Sequence, residues 1–367
     1  MQPDRVVVGI DNGATKNNAT VLDASGRFLV DRMYEIPSRV AEGPEAAIGA
    51  MAEAMDLVLR DVGIGPERVA AVGLDTPGPA SADGVISARG ATNFAQPAWW
   101  GYDVRSALEA RIGLPVVYNN DGNAAALYAH HTHFKADAPM HSSVSAIVGT
   151  GLGGGVIEAG QVIRGASGQA GELGHIQIFT NDILADNQPM PTCACGNRGD
   201  VESFASLTGI VRNLLPYWLT VYPDHPLAAM PILRAAKEVR VYGVDGDEMA
   251  LHVFEQQAAA LGRLFTIAAN FTDPRVYFVG GGVVEAAPHF RDWFLERVRA
   301  YTILREEQAA VATLALVPDL DMAGARGSAF AALASADRDH PPGPPDSHQG
   351  TNRPANGPLK GPAAHLA

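Results

Sequence analysis

The chain has 367 residues, 47% of them hydrophobic and 18% charged, and its 27 Lys and Arg against 40 Asp and Glu give a formal net charge of −13. This composition excludes general disorder and leaves room for two domains. The acidic balance argues against a nucleic-acid partner. We see no basic leader before an apolar stretch and no run of about 18 apolar residues, so we expect a cytoplasmic protein without membrane contact.

Strand and helix patterns alternate along the first third of the chain, and apolar periodicity separates the two types. The predicted strands are 5–10, 20–22, 27–34, 69–74 and 115–118, and the predicted helices are 44–62 and 103–112. The first three strands follow one another closely, separated by turn residues, which predicts an antiparallel meander. The order is therefore β-β-β-α-β-α-β.

A similar order restarts further along the chain. Strands are predicted at 143–148, 155–159, 161–164 and 276–279, and the clearest helices at 247–271 and 323–336. One plan used twice predicts two α/β lobes with a cleft between them. We assign 1–119 with about 322–336 to a smaller lobe and 120–321 to a larger lobe. Residues 337–367 hold seven of the 25 prolines and are predicted to be a disordered tail.

The first glycine-bearing turn reads Asp-Asn-Gly-Ala-Thr-Lys at residues 11–16. Gly13 lets backbone N–H groups approach an anion closely. A Walker loop would open a helix, whereas residues 17–22 continue as a strand, so this turn is a hairpin loop. An ordinary polar turn is the alternative to phosphate binding. The candidates for the nucleotide are Asp11, which would hold Mg²⁺ through water, with Gly13, Thr15 and Lys16.

The second such turn formally matches the G-x-G-x-x-G dinucleotide fingerprint at Gly149, Gly151 and Gly154. That fingerprint requires a helix, yet residues 155–159 alternate and turn at Gly160 as a hairpin does, which disfavours a Rossmann oxidoreductase. Two such hairpins suit a nucleotide held by its phosphates from both sides of a cleft. The candidates for phosphate binding are Gly149, Thr150 and Gly151. Gly281, in the turn 280–282, is a candidate for contact with the adenine ring. The alternative is that this turn only connects a strand to a helix.

A carboxylate, Asp121, stands between a predicted buried strand and a helix. Asp121 is either a helix N-cap or a general base. The second alternative uses the same position, because the helix dipole would keep the carboxylate ionised and ready to accept a proton from an alcohol. Glu172 and His175 lie three residues apart in a glycine-rich stretch and suit either sugar hydroxyls or a solvated turn.

Two cysteines one residue apart, Cys193 and Cys195, are poorly spaced for bridging each other. With His175 and Asp200 they offer the donors of a tetrahedral zinc site, and buried free thiols are the alternative. A cluster of histidines at 130, 131 and 133 is predicted to end the helix that begins at Asp121 rather than to bind a metal ion.

These fragments, in this order, resemble the ROK family of sugar kinases and repressors, within the actin/hexokinase superfamily, over about residues 5–336. The fragments that carry the resemblance are the first phosphate motif at 11–16, the Pro-Gly-Pro loop at 76–79, the Asn-Asp pair at 120–121, the second phosphate motif at 149–154 and the Glu-Leu-Gly-His stretch at 172–175.

The resemblance implies a two-lobed actin/hexokinase-like (ribonuclease H-like) α/β fold with an interlobe cleft, which binds ATP with Mg²⁺ and a hexose. It implies that Asp121 deprotonates the sugar O6 hydroxyl and that the chain forms a homodimer or homotetramer. The sugar-binding residues that it implies are Gly78, Asn93, Asn120, Glu172 and His175.

Two positions depart from the family pattern. Ala14 replaces a glycine of the first loop, which is a small steric change. Asp200 stands where the zinc motif has its last cysteine, so either oxygen ligation keeps a weaker zinc site or packing holds the loop.

We therefore expect an ATP-dependent, glucokinase-like hexose kinase that phosphorylates O6. A sugar-sensing regulator of the family would need a DNA-binding domain ahead of the first strand, and a strand starting at Arg5 leaves no room for one. A non-catalytic sugar-binding protein is the other alternative, against which Asp11 and Asp121 argue.

Overall fold

The computed structural model describes residues 1–2, 4–78, 80–87 and 92–339. Pro79 of the predicted sugar loop lies outside these residues, as does the predicted tail from residue 340 onward. Within the described part of the chain, no helix is both long enough and apolar enough to cross a bilayer.

Two five-stranded sheets carry the fold, and they have the same strand arrangement. The first sheet has the order β3-β2-β1-β4-β5 and the second the order β10-β9-β6-β7-β8. Each begins with an antiparallel hairpin at its centre, β1–β2 or β6–β7, followed by parallel strands on one side. The strands are β1 (Val6–Asn12), β2 (Lys16–Asp23), β3 (Ile36–Pro37), β4 (Val69–Thr76), β5 (Val116–Asn120), β6 (Ser143–Val148), β7 (Leu152–Glu158), β8 (Gln161–Val162), β9 (Val276–Gly281) and β10 (Thr313–Leu316). The predicted repetition of one plan is confirmed.

Helices cover the sheets and lie between them. They are α1 (Pro44–Val62), α2 (Val104–Ile112), α3 (Asp121–Phe134), α4 (Val201–Ala205), α5 (Leu207–Gly209), α6 (Leu215–Val221), α7 (Ile232–Val244), α8 (Glu248–Thr272), α9 (Pro288–Tyr301), α10 (Glu306–Ala309) and α11 (Leu320–Asp339). The bounds predicted for α1 are confirmed, because Pro44 occupies its first turn and Gly63 ends it in the left-handed conformation.

The prediction of a third strand at 27–34 is wrong. In that segment Phe28 forms only an isolated bridge with Leu22, and the strand that pairs with β2 is Ile36–Pro37. The backbone N–H of Tyr34 donates instead to the side-chain oxygen of Asn18, 3.2 Å away. A side chain thus takes the place of a ladder partner.

Helices α3 and α11 join the two sheets through very close backbone packing. A Cβ atom at Gly73 of β4 would lie 1.8 Å from the carbonyl oxygen of Ser328, and one at Gly327 would lie 1.7 Å from that of Ala124. On the other side of α3, a Cβ atom at Gly122 would lie 2.6 Å from the backbone nitrogen of Gly154. These glycines let α11 pack on the first sheet, α3 pack on α11, and β7 of the second sheet pack on α3.

Candidate active site

Three neighbouring parallel strands of the first sheet end at one edge and carry polar residues there. The register pairs Asp11 of β1 with Asp75 of β4, and Asp75 with Asn119 of β5. Asp75 was missed by the sequence analysis, although its signal was available: it is a carboxylate directly after the apolar run 69–74. Parallel strands bring their carboxyl ends together, so these side chains share one site.

Asp121 opens helix α3 beside this edge, and Asn120, not Asp121, is the N-cap. The Asn120 side-chain oxygen accepts the N–H of Asn123 at 2.7 Å, which is the capping bond. The Asp121 carboxylate accepts the N–H of Gly122 at 2.7 Å. Capping therefore does not account for Asp121, and its carboxylate remains available for chemistry.

The surroundings of Asp121 favour a proton acceptor that is active near neutral pH. Its side chain is solvent-exposed, yet the protein packed around it desolvates the carboxylate and raises its pKa to about 6. The hydrogen bond from Gly122 opposes this shift, whereas the charges of Asp11 and Glu172 add to it. A base with a pKa near the working pH is well matched to proton transfer from an alcohol.

Glu172 meets Asn120 across the two sheets. The amide nitrogen of Asn120 lies 3.2 Å from a carboxylate oxygen of Glu172, and desolvation raises the pKa of Glu172 while the nearby His175 lowers it. The exposed His175 ends the short 3₁₀ turn that follows Glu172. The structure thus brings the predicted Asn120, Glu172 and His175 together.

Glu202 of α4 is a further acidic residue at this place that the sequence analysis did not identify. Its carboxylate accepts the N–H of Leu152 at 2.9 Å and the thiol of Cys193 at 3.2 Å, so it connects the second hairpin to the cysteine loop. Its charge also raises the pKa of both Glu172 and His175. Only the docking of α4 against β7 reveals this position.

The predicted Gly78 and Asn93 belong to the segment beyond β4. Asn93 is exposed in the 3₁₀ turn Thr92–Phe94, and Gly78 is half-buried with open space around it. Nearby, the side-chain amide of Gln169 donates to the carbonyl of Ala80 at 2.9 Å, which brings the loop carrying Glu172 against this segment. A sugar-binding role for Gly78 and Asn93 stays a prediction.

The first glycine turn is the tip of the β1–β2 hairpin, as predicted. The N–H of Gly13 donates to the carbonyl of Lys16 at 2.9 Å, and Thr15 is exposed at the tip. The Lys16 ammonium pairs with the Glu35 carboxylate at 2.5 Å, and both side chains are exposed to solvent. Lys16 is therefore engaged beside β3 in this structure, and its contact with phosphate stays a prediction.

The second glycine turn is the tip of the β6–β7 hairpin, so the dinucleotide alternative is excluded. The N–H of Gly149 donates to the carbonyl of Gly151 at 2.9 Å, and Thr150 is exposed at the tip. The hydroxyl of Thr208 in α5 donates to the carbonyl of Thr150 at 2.8 Å and braces this tip.

Gly281 ends β9 beside the tip of the same hairpin, where it pairs with Val148 of β6. Its φ is 96°, and a Cβ atom there would lie 2.0 Å from the carbonyl oxygen of Val148. Backbone packing alone requires a glycine at this position, so its contact with adenine stays a prediction.

His175, Cys193, Cys195 and Asp200 converge into one cluster, and their donor atoms all lie within 4.8 Å of one another. The His175 Nδ1 atom is 3.6 Å from both the Cys195 Sγ and an Asp200 carboxylate oxygen. Ligands at about 2.0–2.3 Å from a tetrahedral zinc ion are separated by about 3.3–3.8 Å, so the donor set fits zinc. The Asp200 carboxylate raises the pKa of His175 to about 9.

The histidine cluster at 130, 131 and 133 lies at the end of α3, as predicted. The two ring nitrogens of His130 lie 2.8 Å from the Ser143 hydroxyl and 2.9 Å from the Ala138 carbonyl oxygen. The ring of His131 contacts the carbonyl of Gly160 at 3.0 Å. These bonds anchor the helix end to the second sheet.

Two sheets of identical strand order, each with a glycine-turn hairpin, define a two-lobed α/β fold of the actin/hexokinase-like type. The family model described as "ROK family" matches residues 7–335, and the chain belongs to this family.

Several of the known proteins similar to this chain are sugar kinases by name. A glucokinase from Halalkalibacterium halodurans is 30% identical over 321 residues, which cover 85% of this chain and 91% of that protein. The ROK hexokinase from Thermus thermophilus has a TM-score of 0.71 and 31% identity, with 91% of this chain and 99% of that chain covered. A ROK family glucokinase from Streptomyces griseus, solved in complex with glucose and AMPPNP, has a TM-score of 0.63 and 26% identity, with coverage of 90% and 99%.

Proposed function

We propose that this protein is an ATP-dependent sugar kinase and that it transfers the γ-phosphoryl group of ATP to the O6 hydroxyl of a hexose. The observation that carries the proposal is the position of Asp121. This carboxylate stands at the start of α3, next to Asn120, which is hydrogen-bonded to Glu172. The relatives named glucokinase and hexokinase, one of them solved with glucose and AMPPNP, support the same class of substrates.

In this proposal the polar cluster binds the sugar and the two hairpin tips bind the nucleotide. Asn120, Glu172 and His175 hydrogen-bond ring hydroxyls, with Gly78 and Asn93 along the same pocket. The N–H groups of Gly13 and Gly149 close the two turns, and the other backbone N–H groups of the tips at 13–16 and 149–151 face the phosphates. Hairpin glycines allow this close approach of an anion.

The transfer itself is a proton removal coupled to an in-line displacement. Asp121 accepts the proton of the O6 hydroxyl, the oxygen forms a bond to the γ-phosphorus, and the bond from that phosphorus to the bridging oxygen of ADP breaks. The products are hexose 6-phosphate, ADP and one proton, which leaves from Asp121. Closing of the lobes around the hexose would keep water from the γ-phosphoryl group.

Two metals belong to the proposal. Mg²⁺, when bound, would neutralise charge on the phosphates, and Asp11 would hold it through water next to the tip of the first hairpin. Zn²⁺ would be held by His175, Cys193, Cys195 and Asp200, where it would fix the loop that presents His175 to the sugar. A homodimer or homotetramer without a nucleic-acid partner stays a prediction.

The test is hexose-stimulated release of ADP by the purified protein, with glucose, mannose, fructose, allose and N-acetylated hexosamines as the panel. Asp121→Asn should lower kcat by about 10²–10⁴ while the variant still binds sugar. Asp56→Asn makes the same chemical change on the exposed side of α1 and is the matched control. ADP release that no hexose stimulates, or an Asp121→Asn variant within a few-fold of the wild type, would contradict the proposal.

A further inference from the structure

A buried carboxyl group, that of Asp75, lies directly beside Asp11. It is fully buried at the end of β4, and the strand register places it opposite Asp11. Directly paired residues of neighbouring parallel strands place their side chains on the same face of the sheet, so the two carboxyl groups lie side by side. The proposed transfer assigns no role to Asp75, which cannot touch a substrate from this buried position.

Each oxygen of Asp75 has a different environment. The hydroxyl of Ser328, on helix α11, donates to Oδ2 at 2.7 Å. Oδ1 is also buried, and no donor among the described residues reaches it. A bare carboxylate oxygen in the interior is costly, whereas a carboxylic acid whose O–H points at the Asp11 carboxylate satisfies both groups.

Helix α11 packs closely against this pair of carboxyl groups on one side. A Cβ atom at Gly324 would lie 2.8 Å from the Asp11 Cγ, and one at Gly73 would lie 1.8 Å from the Ser328 carbonyl oxygen. With backbone packed this closely, small movements of α11 are transmitted to Asp75 and Asp11 rather than absorbed.

We propose that Asp75 is a positioning residue: held by Ser328 of α11, it donates a hydrogen bond to Asp11 and fixes that carboxylate next to the tip of the first hairpin. The inference rests on the proposed function, because Asp11 is the residue that would hold Mg²⁺·ATP through water. A fixed acceptor loses less entropy when the nucleotide binds, so its positioning contributes to affinity and rate.

The test compares two substitutions of nearly equal size. Asp75→Asn keeps a donor toward Asp11 and an acceptor for Ser328, whereas Asp75→Leu removes both. Binding of Mg²⁺·AMPPNP by calorimetry and kcat/KM for Mg²⁺·ATP are measured for each variant, together with thermal unfolding. We expect Asp75→Asn to stay within a few-fold of the wild type and Asp75→Leu to lose about 10- to 100-fold in both quantities.

Ser328→Ala keeps the test decisive if Asp75→Leu does not fold, because it adds no bulk to an alanine-rich helix. It should weaken Mg²⁺·AMPPNP binding by about five-fold through the loss of one hydrogen bond to Asp75. The inference is overturned if Asp75→Asn is as impaired as Asp75→Leu, or if Ser328→Ala or a folded Asp75→Leu matches the wild type. Failure of the proposed function shows differently, as a wild type that binds Mg²⁺·AMPPNP but has no hexose-dependent turnover.

Discussion

The side-chain amide of Asn120 lies 3.2 Å from the Glu172 carboxylate and links the end of β5 in the first sheet to the loop that follows β8 in the second. Both residues are proposed sugar ligands, so this bond sets the distance between the two halves of the sugar site. A hexose would bind between groups that already support each other.

Glu172→Gln should raise the KM for the hexose by about 10- to 100-fold, because hydrogen bonds to a charged acceptor contribute about 1.5–3 kcal/mol. The KM for ATP should change little, since Glu172 is proposed to bind the sugar and not the nucleotide. Steady-state kinetics with each substrate varied in turn measures both. Glu158→Gln on the exposed side of β7 is the control, and an equal rise in both KM values would contradict the assignment.

The pH dependence of kcat/KM should report Asp121. Desolvation by the surrounding protein raises the pKa of the Asp121 carboxyl to about 6, and only the ionised form accepts a proton. kcat/KM should therefore be constant above about pH 7 and fall about ten-fold per pH unit below about pH 6. Asp121→Asn should lack this acidic limb, and circular dichroism at pH 5 checks that the protein is still folded. A wild-type profile that stays flat down to pH 5 would disprove the role of Asp121.

The Asp200 cluster should hold about one zinc ion per chain, measurable by elemental analysis of the purified protein. The Asp200 carboxylate also caps α4 by accepting the Ser203 N–H at 3.0 Å, so Asp200→Ala would remove a cap and a ligand together. Asp200→Asn retains an acceptor for the cap and should lose zinc while α4 persists. Chelator treatment should lower the melting temperature of the wild type but not that of Asp200→Asn. Wild-type protein without zinc, or equal responses of the two proteins to chelator, would refute this prediction.

Gly327 should not tolerate a side chain. A Cβ atom there would lie 1.7 Å from the Ala124 carbonyl oxygen, so Gly327→Ala must push α11 away from α3. Overpacking of this kind costs about 1–3 kcal/mol of the free energy of unfolding. Gly49→Ala is the matched control, because Gly49 lies inside α1 with no atom within 4 Å of the added Cβ. It should stabilise the protein by about 0.5–1 kcal/mol in denaturant unfolding. Equal effects of the two substitutions would contradict the packing argument.

The elements predicted well from the sequence are those whose signals are local. Helix α1 begins after Gly43 with Pro44 and ends at Gly63, and the two hairpins follow from glycine turns flanked by apolar alternation. The conformational preferences of proline and glycine and the spacing of apolar residues act over a few residues. Elements that depend on them can therefore be predicted directly from the sequence. The family motifs lie in the same local segments.

What the sequence by itself determined is therefore the α/β class, the repeated plan and the residues at the two hairpin tips and the start of α3. Only the tertiary structure decided which of the polar residues meet. Asp75 is hydrogen-bonded to Ser328, 253 residues away in the sequence, and Glu202 to Leu152, 50 residues away. The Asn18 side chain accepts the Tyr34 N–H, which would have paired with a neighbouring strand in the predicted sheet. Such contacts depend on strand register and helix docking, which are set by packing of the whole chain, not by the residues near each position.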